Sequence, residues 1–273
     1  MENYSVLMSV YNGEKPEYLL QSIESIFSQT IPTNDFVLVC DGPLTEELNS
    51  LITEFEQKYE EKFNVVRFKN NRGLGPALND GLRLCKNRLV ARMDSDDIAP
   101  EYRCEMQLKA FSDEPQLSIV GGAIEEFACC TNNIISKKNM PLNHEDILNY
   151  SKKRCPFNHP TVMYDKDVVL ANGGYPDILL HEDYALWVKL LQNGVISRNL
   201  PDNLCFMRVD SGLYGRRGGL NYLKIAYKFR WHLYRTGFCS FFQAIYTIFA
   251  LTAVCLVPTS LREFIYKKVL RSE

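Results

Sequence analysis

A chain of 273 residues that is 46% hydrophobic can bury a full core, as one large domain or one domain with an appendage. Its formal net charge of −2 and pI near 6.1 leave no global basic field of the kind nucleic-acid binders use. The nine cysteines, at 40, 85, 104, 129, 130, 155, 205, 239 and 255, form no Cys-x-x-Cys pair, which argues against a zinc site or a disulfide framework and for reduced thiols in a cytosolic protein.

Met1 to Asn3 leads straight into a core-type strand, so no signal peptide is expected. Ser5 to Tyr11 is an apolar, β-rich run, and Pro16 to Gln29 carries Leu19, Leu20, Ile23, Ile26 and Phe27 at helical spacing. Phe36 to Cys40 is a continuous apolar run ending in Asp41-Gly42, and Leu44 to Tyr59 places Leu48, Leu51, Ile52 and Phe55 on one helical face. A strand over Asn64–Phe68, a helix over Pro76–Cys85, a strand over Leu89–Met93 and a helix over Ile98–Phe111 with Pro100 near its start follow. Further on, Ser118–Phe127 and Asn158–Tyr164 read as strands, and Asp183–Gln192 as a helix turning Leu186, Trp187, Leu190 and Leu191 inward. Strands without polar alternation, joined by helices, predict an α/β fold with a parallel sheet covered on both faces. No linker interrupts residues 1–235, which read as one domain.

In such a sheet the functional groups gather where strands end, on the carboxyl edge. Tyr11-Asn12-Gly13, Asp41-Gly42 and Asp94-Ser95-Asp96-Asp97 all fall at strand ends and together predict a cleft. Asp94, Asp96 and Asp97 are three carboxylates within four residues, which repel unless a cation sits among them. Mg²⁺ or Mn²⁺ suits the need, because it takes one or two carboxylates and leaves its other positions to water and phosphates. Capping of the following helix is the plainer use of these aspartates. An EF-hand fails, since Ile98 replaces a ligand and Ala99 the required glycine.

Asp41 can accept a hydrogen bond from a base or ribose, or merely open its Gly42-Pro43 turn. In Asn70-Asn71-Arg72-Gly73-Leu74-Gly75, backbone amides and Arg72 could face a diphosphate. The dinucleotide fingerprint is absent, with Leu78 where a third glycine is needed, and Walker A and Gly-x-Ser-x-Gly patterns are missing too. His181-Glu182 lacks the second histidine of a zinc protease, because position 185 is Ala. Asp183 is either a first-turn acid that favours the helix dipole or a general base at the cleft rim. Arg216 and Arg217, in a glycine-flanked loop, could close over a leaving diphosphate or form a solvated basic turn.

Several segments, in matching order and spacing from residue 5 to about 220, resemble family 2 glycosyltransferases, inverting enzymes of the GT-A fold. They are Ser5–Gly13, Ser25-Ile-Phe-Ser-Gln-Thr30, Asn71-Arg-Gly-Leu74, Met93-Asp-Ser-Asp-Asp97, Asn158-His-Pro-Thr161, Gly174-Tyr175 and Glu182-Asp-Tyr-Ala-Leu-Trp187. The nearest resemblance is to bacterial enzymes that build surface polysaccharides. It implies a Rossmann-like, mostly parallel sheet flanked by helices. It also implies transfer from a nucleotide diphosphate-sugar, a UDP-sugar, to a hydroxyl of a lipid-linked glycan, with Mn²⁺ or Mg²⁺ as cofactor. On this resemblance Val10, Tyr11 and Asp41 would hold the nucleoside, and Arg72, Arg216 and Arg217 would serve the diphosphate. Asp94 would touch the ribose beside the metal, Asp96 would coordinate the metal, and Asp183 would be the base with Glu182 beside it. His159 would lie near the acceptor or face the core, and as a bare residue reads first as a satisfied structural histidine. Cys40, and the loose fit of Arg216-Arg217, depart from the pattern of many relatives. A sugar nucleotidyltransferase, or a catalytically silent glycan-binding or scaffolding protein, are the alternative readings; the former would show a Gly-rich, Arg-containing loop that Tyr11-Asn12-Gly13-Glu14 does not supply.

From Thr236 to Leu261 no residue is charged, and Phe238–Val257 is mostly apolar. That length could span a bilayer, but Arg230 and Arg235 before it and Arg262, Lys267, Lys268 and Arg271 after it disfavour moving either flank across. Pro258 breaks the run and Leu261–Leu270 reads as a basic amphipathic helix. Residues 236–273 are therefore expected to be an amphipathic and apolar helical tail that anchors the protein peripherally on the cytoplasmic face of the membrane, with packing into the core as the alternative to an anchor or a span.

Overall fold

The computed structural model describes residues 2–178, 180–209 and 219–257, with Leu220 by its backbone alone. The first half alternates as its sequence pattern predicts: β1 (Tyr4–Val10), α1 (Pro16–Phe27), β2 (Asp35–Cys40), α2 (Glu46–Lys58), β3 (Phe63–Arg67), α3 (Leu74–Leu84) and β4 (Leu89–Asp94). These strands lie parallel in the order β3-β2-β1-β4. All six residues of β2 are buried, because helices cover both faces. Phe36, Leu38 and Cys40 face the core under α1 and α2, whereas Val37 and Val39 face a second core containing residues of α3. Gly81 lets α3 lie close on that second face; a Cβ there would meet Leu7 at 2.5 Å and Val39 at 2.6 Å.

The second half comprises α4 (Arg103–Asp113), β5 (Leu117–Phe127), β6 (Ile134–Lys138), α5 (His144–Ser151), β7 (Met163–Asp165), α6 (Lys166–Ala171), α7 (Glu182–Gln192), β8 (Ile196–Arg208), α8 (Gly219–Arg235) and α9 (Phe241–Leu256). The sheet continues β4-β7-β5-β6, with β8 paired in parallel to β5. Because β7 runs antiparallel to β4 and β5, and β6 to β5, the sheet is mostly parallel but mixed.

Two predicted elements are corrected. Residues 158–164 form a 3₁₀ turn, His159–Thr161, before the three residues of β7. Pro160 has no amide to give a ladder, and side chains make the sheet contacts instead: Asn158 Nδ2 donates to the Gly122 carbonyl (2.9 Å) and Thr161 Oγ1 accepts from the Gly122 amide (3.1 Å). The helix expected from Ile98 starts at Arg103, because Ile98 exchanges both backbone hydrogen bonds with Phe206 of β8 (3.0 and 2.8 Å) and is held extended.

At the carboxyl-terminal end, α8 and α9 form a helical hairpin. Ser240 caps α9 reciprocally with Gln243, its side chain accepting from the Gln243 amide and its amide donating to Gln243 Oε1. Phe229, Leu233, Phe238, Cys239 and Ala244 join the core cluster that also holds Trp187 of α7. Among the described residues no helix is long and apolar enough to cross a membrane. The sixteen residues of α9 span about 24 Å, short of the roughly 30 Å hydrocarbon core. Pro258 and the amphipathic helix expected over Leu261–Leu270 lie outside the described residues. All nine cysteines are free.

Candidate active site

Parallel pairing sets Ser9 opposite Asp94 and Val10 opposite Cys40, so β1, β2 and β4 end at one edge of the sheet. Val10 itself is buried, and its carbonyl accepts from the Asp41 amide (2.8 Å), so it offers this edge backbone rather than side chain. Tyr11, the next residue, is half exposed.

Asp41 is buried, and its carboxylate accepts from the amides of Arg72 (2.8 Å) and Gly73 (2.9 Å). Those amides, expected to be available to a diphosphate, instead fasten the loop before α3 to the end of β2. Gly42 is required for this junction: it has φ +94°, and a Cβ would stand 2.7 Å from the Asn71 amide nitrogen. The Arg72 side chain lies over the Phe68 ring (3.8 Å) and pairs with Asp80 (2.5 Å), remaining partly exposed.

At the end of β4 the three aspartates diverge. Asp97 turns inward, accepting from the Arg208 amide (2.8 Å) and the Cys205 thiol (3.6 Å), and so ties the segment to β8. Asp94 and Asp96 remain partly open, with the Asp94 carbonyl held by Ser22 Oγ (2.7 Å) and the Asp96 carbonyl by Arg208 Nε (2.9 Å). Glu14 joins them, accepting from Ser95 Oγ at 2.5 Å. Burial, then the charges of Asp94 and Glu14, push the Asp96 carboxyl up to about 7. An all-oxygen set strained by like charge fits a hard divalent cation. Among the described residues no three His, Cys, Asp or Glu side chains are grouped so that they could hold a metal ion.

Arg92 organises the interior behind this edge. Side chains alternate along β4, so Val90, Arg92 and Asp94 share the face turned towards α7. Arg92 is 1% exposed and ion-paired to Asp94, while its Nε has no hydrogen-bond partner among the described residues. Its charge helps to hold down the carboxyls of Asp96, Asp97, Glu182 and Asp183 and pushes down the His159 imidazole, so all five groups lie within its field.

Glu182 and Asp183 occupy the first turn of α7, after His181, whose side chain makes no cap. Gly75 brings α3 against this turn, with a Cβ there lying 3.4 Å from Glu182 Cβ. Asp183 Oδ1 accepts from the Tyr184 amide (2.6 Å), and Oδ2 faces the Cys155 thiol (3.7 Å). Burial raises the carboxyls of both Glu182 and Asp183 above their usual range, which strengthens Asp183 as a proton acceptor. His159 has Nε2 3.0 Å from Tyr175 Oη and its ring edge-on to Trp187.

The fold thus brings Asp41, Asp94, Asp96, Glu182 and Asp183 to one side of the molecule, with Tyr11 and Arg72 beside them. Arg216 and Arg217 lie outside the described residues. Four contributors escaped the sequence reading. Arg92 carried a signal, since an arginine inside an apolar strand two residues before Asp94 needs a partner on that face. Glu14 and Arg208 were hidden by distance in sequence, and Arg208 also by Pro201-Asp202, which disguises β8 as a loop. Nothing in the sequence marks Cys155.

Comparison with known proteins gives the family. The model of glycosyl transferase family 2 matches residues 5–170. An Escherichia coli UDP-Gal:alpha-D-GlcNAc-diphosphoundecaprenol beta-1,3-galactosyltransferase is 38% identical over 98% of this chain and 96% of its own length. The amylovoran biosynthesis glycosyltransferase AmsE of Erwinia amylovora is 37% identical over 97% and 98%. A solved mannosyltransferase from Pyrobaculum calidifontis, in complex with GDP-Man and Mn²⁺, shares the fold at TM-score 0.64 and 15% identity, covering 99% of this chain and 81% of that one. A family match over more than half the chain, with near full-length relatives above 30% identity, places this glycosyltransferase: the chain belongs to glycosyl transferase family 2.

Proposed function

We propose that this glycosyltransferase moves a sugar from a UDP-sugar to a hydroxyl of a lipid-linked glycan during surface-polysaccharide synthesis, with inversion at the sugar carbon. The observation that carries the reading is that Asp94, Asp96, Glu182 and Asp183 all lie within the field of buried Arg92, which is ion-paired to Asp94. The UDP donor and polyprenyl-diphosphate acceptor named for the Escherichia coli relative supply the substrate classes.

In the proposed reaction, Val10, Tyr11 and Asp41 hold the nucleoside, Asp94 the ribose, and Arg72, with Arg216 and Arg217, the diphosphate. Asp94 and Asp96 would hold Mn²⁺ or Mg²⁺, which when bound neutralises charge on the leaving diphosphate. Asp183 Oδ takes the proton of the acceptor hydroxyl as its oxygen bonds to the sugar carbon. The bond from that carbon to the diphosphate oxygen breaks in the same displacement, and the nucleoside diphosphate leaves with the electron pair. Glu182 keeps a second carboxylate at the same turn to position the acceptor. Residues 1–235 form the transferase domain in this reading. Residues 236–273 associate peripherally with the cytoplasmic face of the membrane.

A thermal-shift panel with UDP, GDP, dTDP and CDP, each with Mn²⁺ and with EDTA, tests the donor site. UDP should raise Tm selectively and only with metal, because a ligand that binds the native state stabilises it. Asp96→Ala should abolish the metal-dependent part. No shift with any diphosphate would favour a silent glycan-binding protein.

The same panel has a pH dependence. Asp96 titrates near 7 in the fold against 3.8 as a free side chain, so its folded-state pKa is raised. Below about pH 4 both states are protonated. Between about 4 and 7 the unfolded state loses its proton first, so the metal-free protein loses stability as pH rises. Metal binding displaces that proton, so Mn²⁺ affinity should fall by up to about tenfold per pH unit below 7 and level off above it. A flat Mn²⁺ affinity from pH 5.5 to 8 would remove Asp96 from the metal site.

A further inference from the structure

Residues 211–262 contain seven Lys or Arg and not one Asp or Glu, in a chain whose net charge is −2. The described part of that stretch is the α8–α9 hairpin, which sorts its outward side chains into two stripes. On α8, Lys224, Lys228, Trp231 and Arg235 are exposed at spacings of four, three and four residues, one face of a helix. On α9, Phe242, Tyr246, Phe249, Ala253 and Leu256 are exposed at four, three, four and three, with Phe242 82% and Phe249 70% accessible. A run of rings, Trp231, Tyr234, Phe241 and Phe242, with successive centroids 5.1, 5.7 and 5.9 Å apart, joins the stripes at the turn. Beside it lies an open cleft of about 350 Å³ lined by Lys228, Trp231, His232, Arg235 and Thr236.

The root of the hairpin is fixed to the catalytic domain. Phe229 stacks on His181 (4.6 Å), and buried Arg230 donates to Tyr184 Oη (3.0 Å) and to the Lys153 carbonyl (2.5 Å). The two stripes are therefore held out by a helix packed against the turn that carries Glu182 and Asp183. Exposed aromatic rings in line on one helix, with cations and no acid within the same two helices, match a surface that is apolar below and anionic above.

We propose that the outer face of the α8–α9 hairpin docks on a bilayer bearing anionic lipid, with the α9 rings seated at the acyl boundary and the α8 cations against lipid phosphates. This rests on the peripheral-membrane reading above and assigns to it a surface and a lipid charge. A second copy of the chain is a poor occupant, because two such hairpins face to face would oppose cation to cation with no acidic residue to pair them.

The test uses the full chain and sedimentation with phosphatidylcholine vesicles, with and without phosphatidylglycerol, at low and high salt. The bound fraction should rise roughly tenfold or more with phosphatidylglycerol and fall with salt, since each surface Lys or Arg favours an anionic leaflet and screening removes the gain. The chain has two tryptophans, Trp187 fully buried and Trp231 46% exposed, so a blue shift of emission on binding reports Trp231. The triple variant K224Q/K228Q/R235Q should lose the phosphatidylglycerol dependence, and F242S/F249S should lose the blue shift and most binding on either vesicle. Equal, salt-insensitive binding to both vesicles, or no binding to either, overturns the proposal. So does a concentration-dependent dimer that F242S/F249S dissolves. Transfer in detergent by a chain that ignores vesicles would overturn the docking alone, while vesicle binding without transfer would overturn the reaction alone.

Discussion

Asp183→Asn is expected to lower the rate of sugar transfer by roughly 10²–10⁴-fold, the contribution typical of a positioned general base, while diphosphate affinity changes by less than about twofold. The substitution keeps the local geometry, because an amide oxygen can still accept from the Tyr184 amide as Oδ1 does at 2.6 Å. What it removes is the ability to take a proton. Asp183 is raised above the usual carboxylate range by burial, so the wild-type rate should fall with decreasing pH through a limb lying above the free value of 3.8. The variant should lack that limb. The check is transfer over a pH series from a UDP-sugar to a lipid-linked acceptor, with the substrates named for the Escherichia coli relative as the first pair tried and UDP binding measured in parallel on both proteins. Wild-type turnover by a folded Asp183→Asn protein would sink the assignment.

Arg92→Met should cost stability in a manner that depends on metal. The guanidinium is 1% exposed and ion-paired to Asp94, whose side chain is 34% exposed. Removing one partner of a fully buried pair costs about 3–5 kcal/mol, and water reaching Asp94 should reduce this to about 2–3 kcal/mol. Asp94 would then lose its ion-pair partner, and Asp96 and Asp97 a buried cation that helps to hold their charge. Urea unfolding in EDTA should show the full loss, and Mn²⁺ with UDP should recover much of it, because a second cation then occupies the same field. Arg92→Lys should lie between the two, keeping charge but losing the planar reach of the guanidinium. An equal loss with and without metal would mean that Arg92 serves packing and not the carboxylates.

The strands of the first half were legible in the sequence for a physical reason. Val6 to Val10 and Phe36 to Cys40 are buried on both faces, so they carry no polar alternation, and their ends fall at the polar residues Tyr11 and Asp41. The second half was less legible because its strands depend on partners. β7 has three residues and is ordered by lying between β4 and β5, and β8 runs through Pro201-Asp202 by shifting register beside Gly122 and Ala123. Local pattern cannot report an interaction whose other half is 80 residues away.

The site divides in the same way. Sequence alone determined the chemistry on offer: the acidic cluster at a strand end, the acidic first turn of α7, the uncharged run after Arg235, and their likeness to one enzyme family. Tertiary structure decided which of those groups are free to act. It turned Asp97 inward to β8, engaged Asp41 with the Arg72 and Gly73 amides, and set Cys155 against Asp183. It also brought carboxylates from β4 and from α7, about ninety residues apart in the chain, into the field of Arg92. Residue type fixes what charge a side chain can carry, but the neighbours that stabilise or frustrate that charge are set by packing, and packing brings together residues that the linear order keeps apart.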